Sequence, residues 1–292
     1  MNTPSENTQQ LNRLLKQLQL DQLDRDMFLG DPGKGEGRLF GGLVAAQCVM
    51  ATYRTVEEGN MHSLHAYFLR PGRFDTPIRY VVARIRDGRT FTTRDVVAYQ
   101  AGEAIFQMSC SFMKPEEGFS KQLPAPDAPG PEGLPDWDMV RPDRQAMEMA
   151  KRWRRERPVE LRATEAIMMA PEDGTPHRNV WVAPRGTLPE DPSIHAAVLA
   201  YTSDMALLST ARYSHRLEEN WGPGANASLD HAIWFHHPPR FDDWLLYTSF
   251  SPIAHAARAL VHGAMYRRDG THAVTVVQEG LIRTPRPAPT AS

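Results

Sequence analysis

The sequence predicts an α+β protein made of two fused copies of one unit, each a long helix wrapped by a curled antiparallel sheet. Three observations predict it. The chain repeats itself, each copy carries one helix that is apolar on most sides, and each helix is followed by alternating, β-rich segments separated by turn residues. The repeat emerges when "HAYFLRPGRFDTPIRY" from His65 is laid over "HAIWFHHPPRFDDWLLY" from His231, with one residue inserted in the second copy. Arg73, Phe74 and Asp75 then match Arg240, Phe241 and Asp242 at an offset of 167, and Tyr80 and Tyr99 match Tyr247 and Tyr266 at the same offset. His65 falls on His231, which predicts a shared structural role for the two histidines.

The elements follow in the same order in each copy. "GGLVAAQCVMATYRTV" (Gly41 to Val56) is a helix opened by glycines and apolar nearly all round, so it must be buried on most sides. "SLHAYFLR", "PIRYVVARIR", "FTTRDVVAYQ" and "AIFQMSCSFM" are strands, and "PGRFDT", "DGRT" and "AGE" between them supply turns of antiparallel length. The second copy has strands in "VELRAT" and "RNVWVAP", a helix from about Ser193, and strands in "SLDHAIWFHH", "WLLYTSFSPI", "AARALVHGAMYR" and "THAVTVVQEGLIR". Between the copies, "PEEGFSKQLPAPDAPGPEGLPD" is a linker by composition, and "RPDRQAMEMAKRWRRER" reads as a short helix. The expected boundaries are 1–114 for the first copy, 115–157 for the linker and 158–292 for the second copy. Pairing the two copies edge to edge lengthens the sheet and removes two exposed strand edges.

Composition narrows the function classes. The 292 residues are 41% hydrophobic, enough for a sizeable core. No stretch of eighteen apolar residues occurs, and "MNTPSENTQQLNRLLKQ" lacks the order of a signal peptide, so the expectation is a cytoplasmic protein with no membrane partner. A formal charge of −2 gives no electrostatic case for nucleic acid, and "KRWRRER" (Lys151 to Arg157) reads as a solvated helix face. Cys48 and Cys110 lie far apart in apolar runs without ligand spacing. They are expected to be packed thiols, with neither disulfide nor metal.

One residue breaks the pattern. The stripe Ile194, Ala197, Val198, Tyr201, Met205, Leu208 defines the apolar face of the second helix, and Asp204 falls ~50° from its centre, at the rim. The first helix has no acid from Gly41 to Val56, so the scaffold itself does not require a carboxylate. Aligning Gly102 with Gly270 likewise sets Cys110 opposite Gln278. Polarity is thus concentrated in the second copy, which implies one site per pair of copies.

The segments "FGGLVAAQ", "HSLHAYFLRPG", "RDGRTFTTRDVVAYQAGEAIFQMSCSF", "YTSDMALL", "SLDHAIWFHHP", "WLLYTSFSP" and "VQEGLIR" together resemble the acyl-CoA thioesterase II family, double hotdog proteins, from about Gln19 to Arg283. The resemblance implies hydrolysis of fatty acyl-CoA to fatty acid and CoA with no metal or redox cofactor. It carries the family's catalytic acid onto Asp204, its hydroxyl, usually Thr, onto Ser228, and its glutamine onto Gln278. A carboxylate there would act as general base on water, with its pKa raised by burial, and the amides of Gly41 and Gly42 are candidate oxyanion donors. Self-association as a dimer or tetramer is expected from residual edges and apolar surface. Two other readings stand beside it. A hotdog-fold hydratase or dehydratase could use Asp230, His231, His236 or His237, and a non-catalytic acyl-CoA binding protein would need no buried acid. Arg70 and Arg240 are read as strand-end turn residues.

Overall fold

A computed structural model of the chain describes residues 4–136, 157–163, 177–215 and 226–283. The helix expected over 141–157 lies outside these residues except at Arg157. Helix α1 (Pro4–Gln17) is followed by the hairpin β1 (Asp21–Asp24) and β2 (Met27–Gly30) and by helix α2 (Gly41–Tyr53). Strands β3 (Asn60–Phe68), β4 (Ile78–Asp87), β5 (Phe91–Gln100) and β6 (Glu103–Met113) complete the first half. The second half has β7 (Val159–Ala163), β8 (Arg178–Pro184), α3 (Pro192–Ser214), β9 (Asn226–Ser228), β10 (Asp230–Phe235), β11 (Leu245–His255), β12 (Arg258–Arg267) and β13 (His272–Ile282).

All thirteen strands form one antiparallel sheet in the order β1-β2-β4-β5-β6-β3-β10-β13-β12-β11-β8-β7, with β9 added on β13. Read from either end, each strand meets its repeat counterpart in the same place. The seam is the pair β3 and β10, where Leu64 lies opposite Ile233 and His65 opposite Ala232. Edge-to-edge pairing of the copies is therefore what closes both inner edges, as expected from the cost of an open edge. Together with two core helices this is the double hotdog architecture.

The repeat reaches the detail of the turns. Between β5 and β6 the two residues Ala101 (φ 48°) and Gly102 (φ 85°) form the left-handed corner, and Gly270 has the same φ of 85° between β12 and β13. The second turn is one residue longer, which moves the repeat offset from 167 to 168. Arg73 and Asp75 form an exposed ion pair at 2.5 Å, and Arg240 and Asp242 form its counterpart at 2.6 Å.

Three features were not legible beforehand. The helix α1 docks Leu11 and Leu14 into the core, and Leu18 just beyond its end is buried with them. The hairpin β1–β2 mirrors β7–β8, but its first strand, "DQLD", is exposed throughout and has no apolar alternation. The segment 115–136, a linker by composition, is tied across the outer face of the second half. Trp181 Nε1 donates to Pro129 O (2.7 Å), Gln122 Nε2 to Gly270 O (2.7 Å), and Arg268 pairs with Glu132 (2.6 Å).

Burial also locates the helices. In α2, ten of thirteen residues are buried, and in α3 every residue from His195 to Ala200 is buried. The stripe expected on α3 is less enclosed, since Ile194, Tyr201, Met205 and Leu208 are only partly buried. The sheet covers one side of α3 and α2 packs against another, so this helix has no single apolar face.

Alanine at Gly102 or Gly270 would meet no crowding, only an unfavourable left-handed backbone. Each substitution is expected to cost about 1 kcal/mol, with similar losses at the two positions in urea unfolding.

Candidate active site

The midpoint of α3 carries Asp204 to the place where α3 meets the first turn of α2. The approach is close. A Cβ on Gly42 would stand 2.8 Å from Tyr201 O, and one on Gly41 would stand 2.4 Å from the Phe68 ring and 3.1 Å from Asp204 Oδ2. Only glycine lets the two helices come together here. The Gly42 N–H acts as a backbone partner of the Asp204 carboxylate and lowers its pKa.

Two strands supply the other groups. Gln278, in β13, is fully buried, and its Nε2 donates to Asp204 Oδ1 at 2.7 Å. Ser228, at the end of β9, donates through Oγ to the same Oδ1 at 3.1 Å. Of the three residues expected from the sequence, Ser228 and Gln278 thus both lie within hydrogen-bond distance of Asp204. Gln278 Oε1 is buried without a partner among the described residues.

The placement of Ser228 depends on a register shift. Ser228 lies opposite Gly280, whereas Ala232 lies opposite Val277, so one extra residue separates β9 from β10 along β13. Without that bulge, residues 228 and 231 would face opposite sides of the sheet; with it, both face the helix. The Asp230 carboxylate repairs the interrupted ladder by accepting the Glu279 N–H at 2.6 Å.

The first copy shows what the scaffold holds when it has no such site. Arg94 and Val261 are counterparts at an offset of 167; Cys110 pairs with Arg94, and Gln278 with Val261. Cys110 is therefore the structural counterpart of Gln278, as the alignment predicted. Met61 lies opposite Phe112 as Ser228 lies opposite Gly280, and Thr52 is the helix side chain that acts on the Cys110 thiol, lowering its pKa, as Asp204 is the one beside Gln278. Thr52, Met61 and Cys110 thus stand where the second copy has Asp204, Ser228 and Gln278.

Burial raises the Asp204 pKa to about 6, against the lowering effect of its bonds from Gln278, Ser228 and Gly42. Desolvation wins because a carboxylate loses more on leaving water than three donors return. Tyr201 and Tyr247, both enclosed nearby, are pushed up by burial and remain neutral phenols.

This geometry sits on a fold shared with known proteins. The profile described as acyl-CoA thioesterase matches residues 150–281, and that of the acyl-CoA thioesterase N-terminal domain matches residues 31–113. Acyl-coenzyme A thioesterase 8 of Mus musculus is 37% identical over 281 residues, covering 91% of this chain and 87% of that protein. The chain belongs to the acyl-CoA thioesterase family. Among solved structures, the acyl-CoA thioesterase II TesB2 from Mycobacterium marinum is 38% identical with a TM-score of 0.78, covering 93% of this chain and 98% of that one. A hot dog fold protein of unknown function from Alicyclobacillus acidocaldarius, at 18% identity, TM-score 0.76 and coverage of 94% and 99%, shares the fold.

For this member of the thioesterase family the remaining polar candidates have structural explanations. His236 is exposed, and its Nε2 bonds Thr275 Oγ1 at 2.7 Å. Arg70 pairs with Glu103 at 3.1 Å and donates to Ala104 O, and Arg240 pairs with Asp242, so both are turn residues as expected. The equivalence of His231 with His65 does not hold. His65 is exposed on the outer face and His231 is buried on the inner one, because the offset of 167 runs without a gap from Met61/Ser228 to Arg73/Arg240 and sets His65 against Ala232; matching the two HA dipeptides is a one-residue slip, which reverses every side chain. The true counterpart of His231 is Leu64, which pairs with Cys110.

The raised pKa of Asp204 has a stability consequence. The folded state holds this proton more tightly than the unfolded chain, so native stability is lost as pH rises from about 4 through 6, by an amount on the order of 2 kcal/mol. Asp204→Asn does not titrate. Its melting temperature relative to wild type is expected to rise between pH 4 and pH 7, measured by thermal unfolding across that range.

Proposed function

We propose that the protein hydrolyses fatty acyl-CoA to a fatty acid and CoA, with Asp204 as general base and Ser228 and Gln278 positioning the water. One observation carries this reading: a single carboxylate, its pKa near 6, is held by Ser228 and Gln278 while the buried Gln278 Oε1 is left to accept from a water molecule. Asp204 takes the proton as water oxygen bonds to the thioester carbonyl carbon. Collapse of the tetrahedral intermediate breaks the C–S bond, and the CoA thiolate, a good leaving group, takes the proton back. With water as the nucleophile no acyl-enzyme is needed. The partly buried Phe40, Phe68, Tyr201, Met205 and Leu208 around the acid supply an apolar surface for an acyl chain.

The relatives named as acyl-CoA thioesterases support hydrolysis over hydration, and the raised acid supports catalysis over mere binding. The mirrored strand order supports two copies, 1–114 and 158–292, joined by 115–157. Exposed Tyr67 on the outer face of the seam supports a homo-oligomer, and the free, buried Cys48 and Cys110 fit a reducing, cytoplasmic setting. No described helix is long and apolar enough to cross a membrane.

Thiol release from a chain-length panel of acyl-CoA thioesters is expected to show turnover, and Asp204→Asn to lower kcat by about 10²- to 10⁴-fold. Full activity of that variant removes Asp204 from the mechanism; loss of enoyl-CoA absorbance without thiol release establishes the hydratase instead. The base works only when ionised, so kcat should fall about tenfold per pH unit below pH 6. A rate independent of pH between 4.5 and 7 contradicts this assignment.

A further inference from the structure

Next to the candidate trio lies a second polar pair that the proposed chemistry does not use. Ser203 and His231 are both buried, at 0% and 1% exposure, and their Oγ and Nε2 atoms are 2.7 Å apart. With the one proton of Ser203 Oγ directed to Ala200 O at 2.9 Å, the bond between the two side chains is made by His231 donating through Nε2. Burial pushes the His231 pKa down to about 3, which keeps the ring neutral.

The location is what gives the pair meaning. Ser203 immediately precedes Asp204, and His231 lies one step beyond the Ala232–Val277 pair, directly across from Gln278 on the inner face. The Ser203 carbonyl is held as well, accepting from Tyr247 Oη at 2.9 Å. Residue 203 is therefore clamped from β10 and from β11. In the first copy the corresponding residues are Ala51 and Leu64, both fully buried and apolar, and Tyr80, the counterpart of Tyr247, donates to the Gln47 side chain instead of a helix carbonyl. The scaffold thus packs stably without this clamp, and the clamp accompanies the acid.

We propose that the Ser203–His231 hydrogen bond is a positioning device for Asp204, fixing the helix turn that carries the carboxylate against the strands that carry Gln278. The pair acts through Asp204 and touches no reacting atom. This inference rests on the reading of Asp204 as the base.

The first copy supplies the test substitution, Ser203→Ala with His231→Leu, which reinstates the Ala51 and Leu64 combination. This double variant is expected to melt within a few degrees of wild type, to lose at least tenfold in kcat, and to keep KM within twofold, using acyl-CoA thiol release. His231→Gln, whose amide reaches as Nε2 does, should recover most of the kcat that His231→Leu loses. In an Asp204→Asn background the double change should add no further loss. Wild-type kcat in a folded double variant overturns the proposal, as does the same fold loss with or without Asp204. Should the double variant fail to fold, equal kcat for His231→Gln and His231→Leu overturns it. Wild-type turnover of Asp204→Asn alone would instead defeat the reading of the site, so the two failures are distinct.

Discussion

The structure turns on one half-buried carboxylate where two helices cross. Asp204 leaves α3 at the first turn of α2, and it is kept there by donors from both halves of the chain: Gln278 and Ser228 from the second, the Gly42 amide from the first. An acid in this place is costly. Desolvation raises its proton affinity more than the three donors and the positive end of the α2 dipole reduce it. The glycine pair at 41 and 42 and the fully buried amide of Gln278 bring partners to that acid, and the bulge before β10, which the first copy shares between Met61 and Ser63, is a feature of the common scaffold.

Duplication explains how a scaffold accommodates such a group. The first half keeps the same positions filled by Thr52, Met61 and Cys110, with Leu64 and Ala51 beside them. Those residues pack without a charge. The second half traded packing for polarity at equivalent places, and the mirrored sheet with its seam at β3 and β10 holds both halves in one frame. Half of the molecule secures the fold and lends a helix N-terminus, and the other half bears Asp204, Ser228 and Gln278.

Much of this was written plainly in the sequence. The matches from Arg73 to Tyr99 against Arg240 to Tyr266 revealed the doubling, the apolar surroundings marked Asp204, and the offset of 168 at Gly270 set Gln278 against Cys110. Other features left no such trace. The exposed "DQLD" strand has no alternation to read, and the Pro-rich segment 115–136 has linker composition although it is fastened to Trp181 and Gly270. The histidines at 65 and 231 misled because identical dipeptides aligned one residue out of structural register.

By itself the sequence determined the architecture, the repeat and the identity of the acid, because hydrophobic period and turn chemistry are local properties that a linear pattern records. Only the tertiary structure decided which groups meet. A single-residue bulge turns Ser228 and His231 to the same face, and a close helix crossing aims the Gly42 amide at Asp204. Such contacts depend on register and on distances between segments far apart in the chain, and no spacing of letters encodes them.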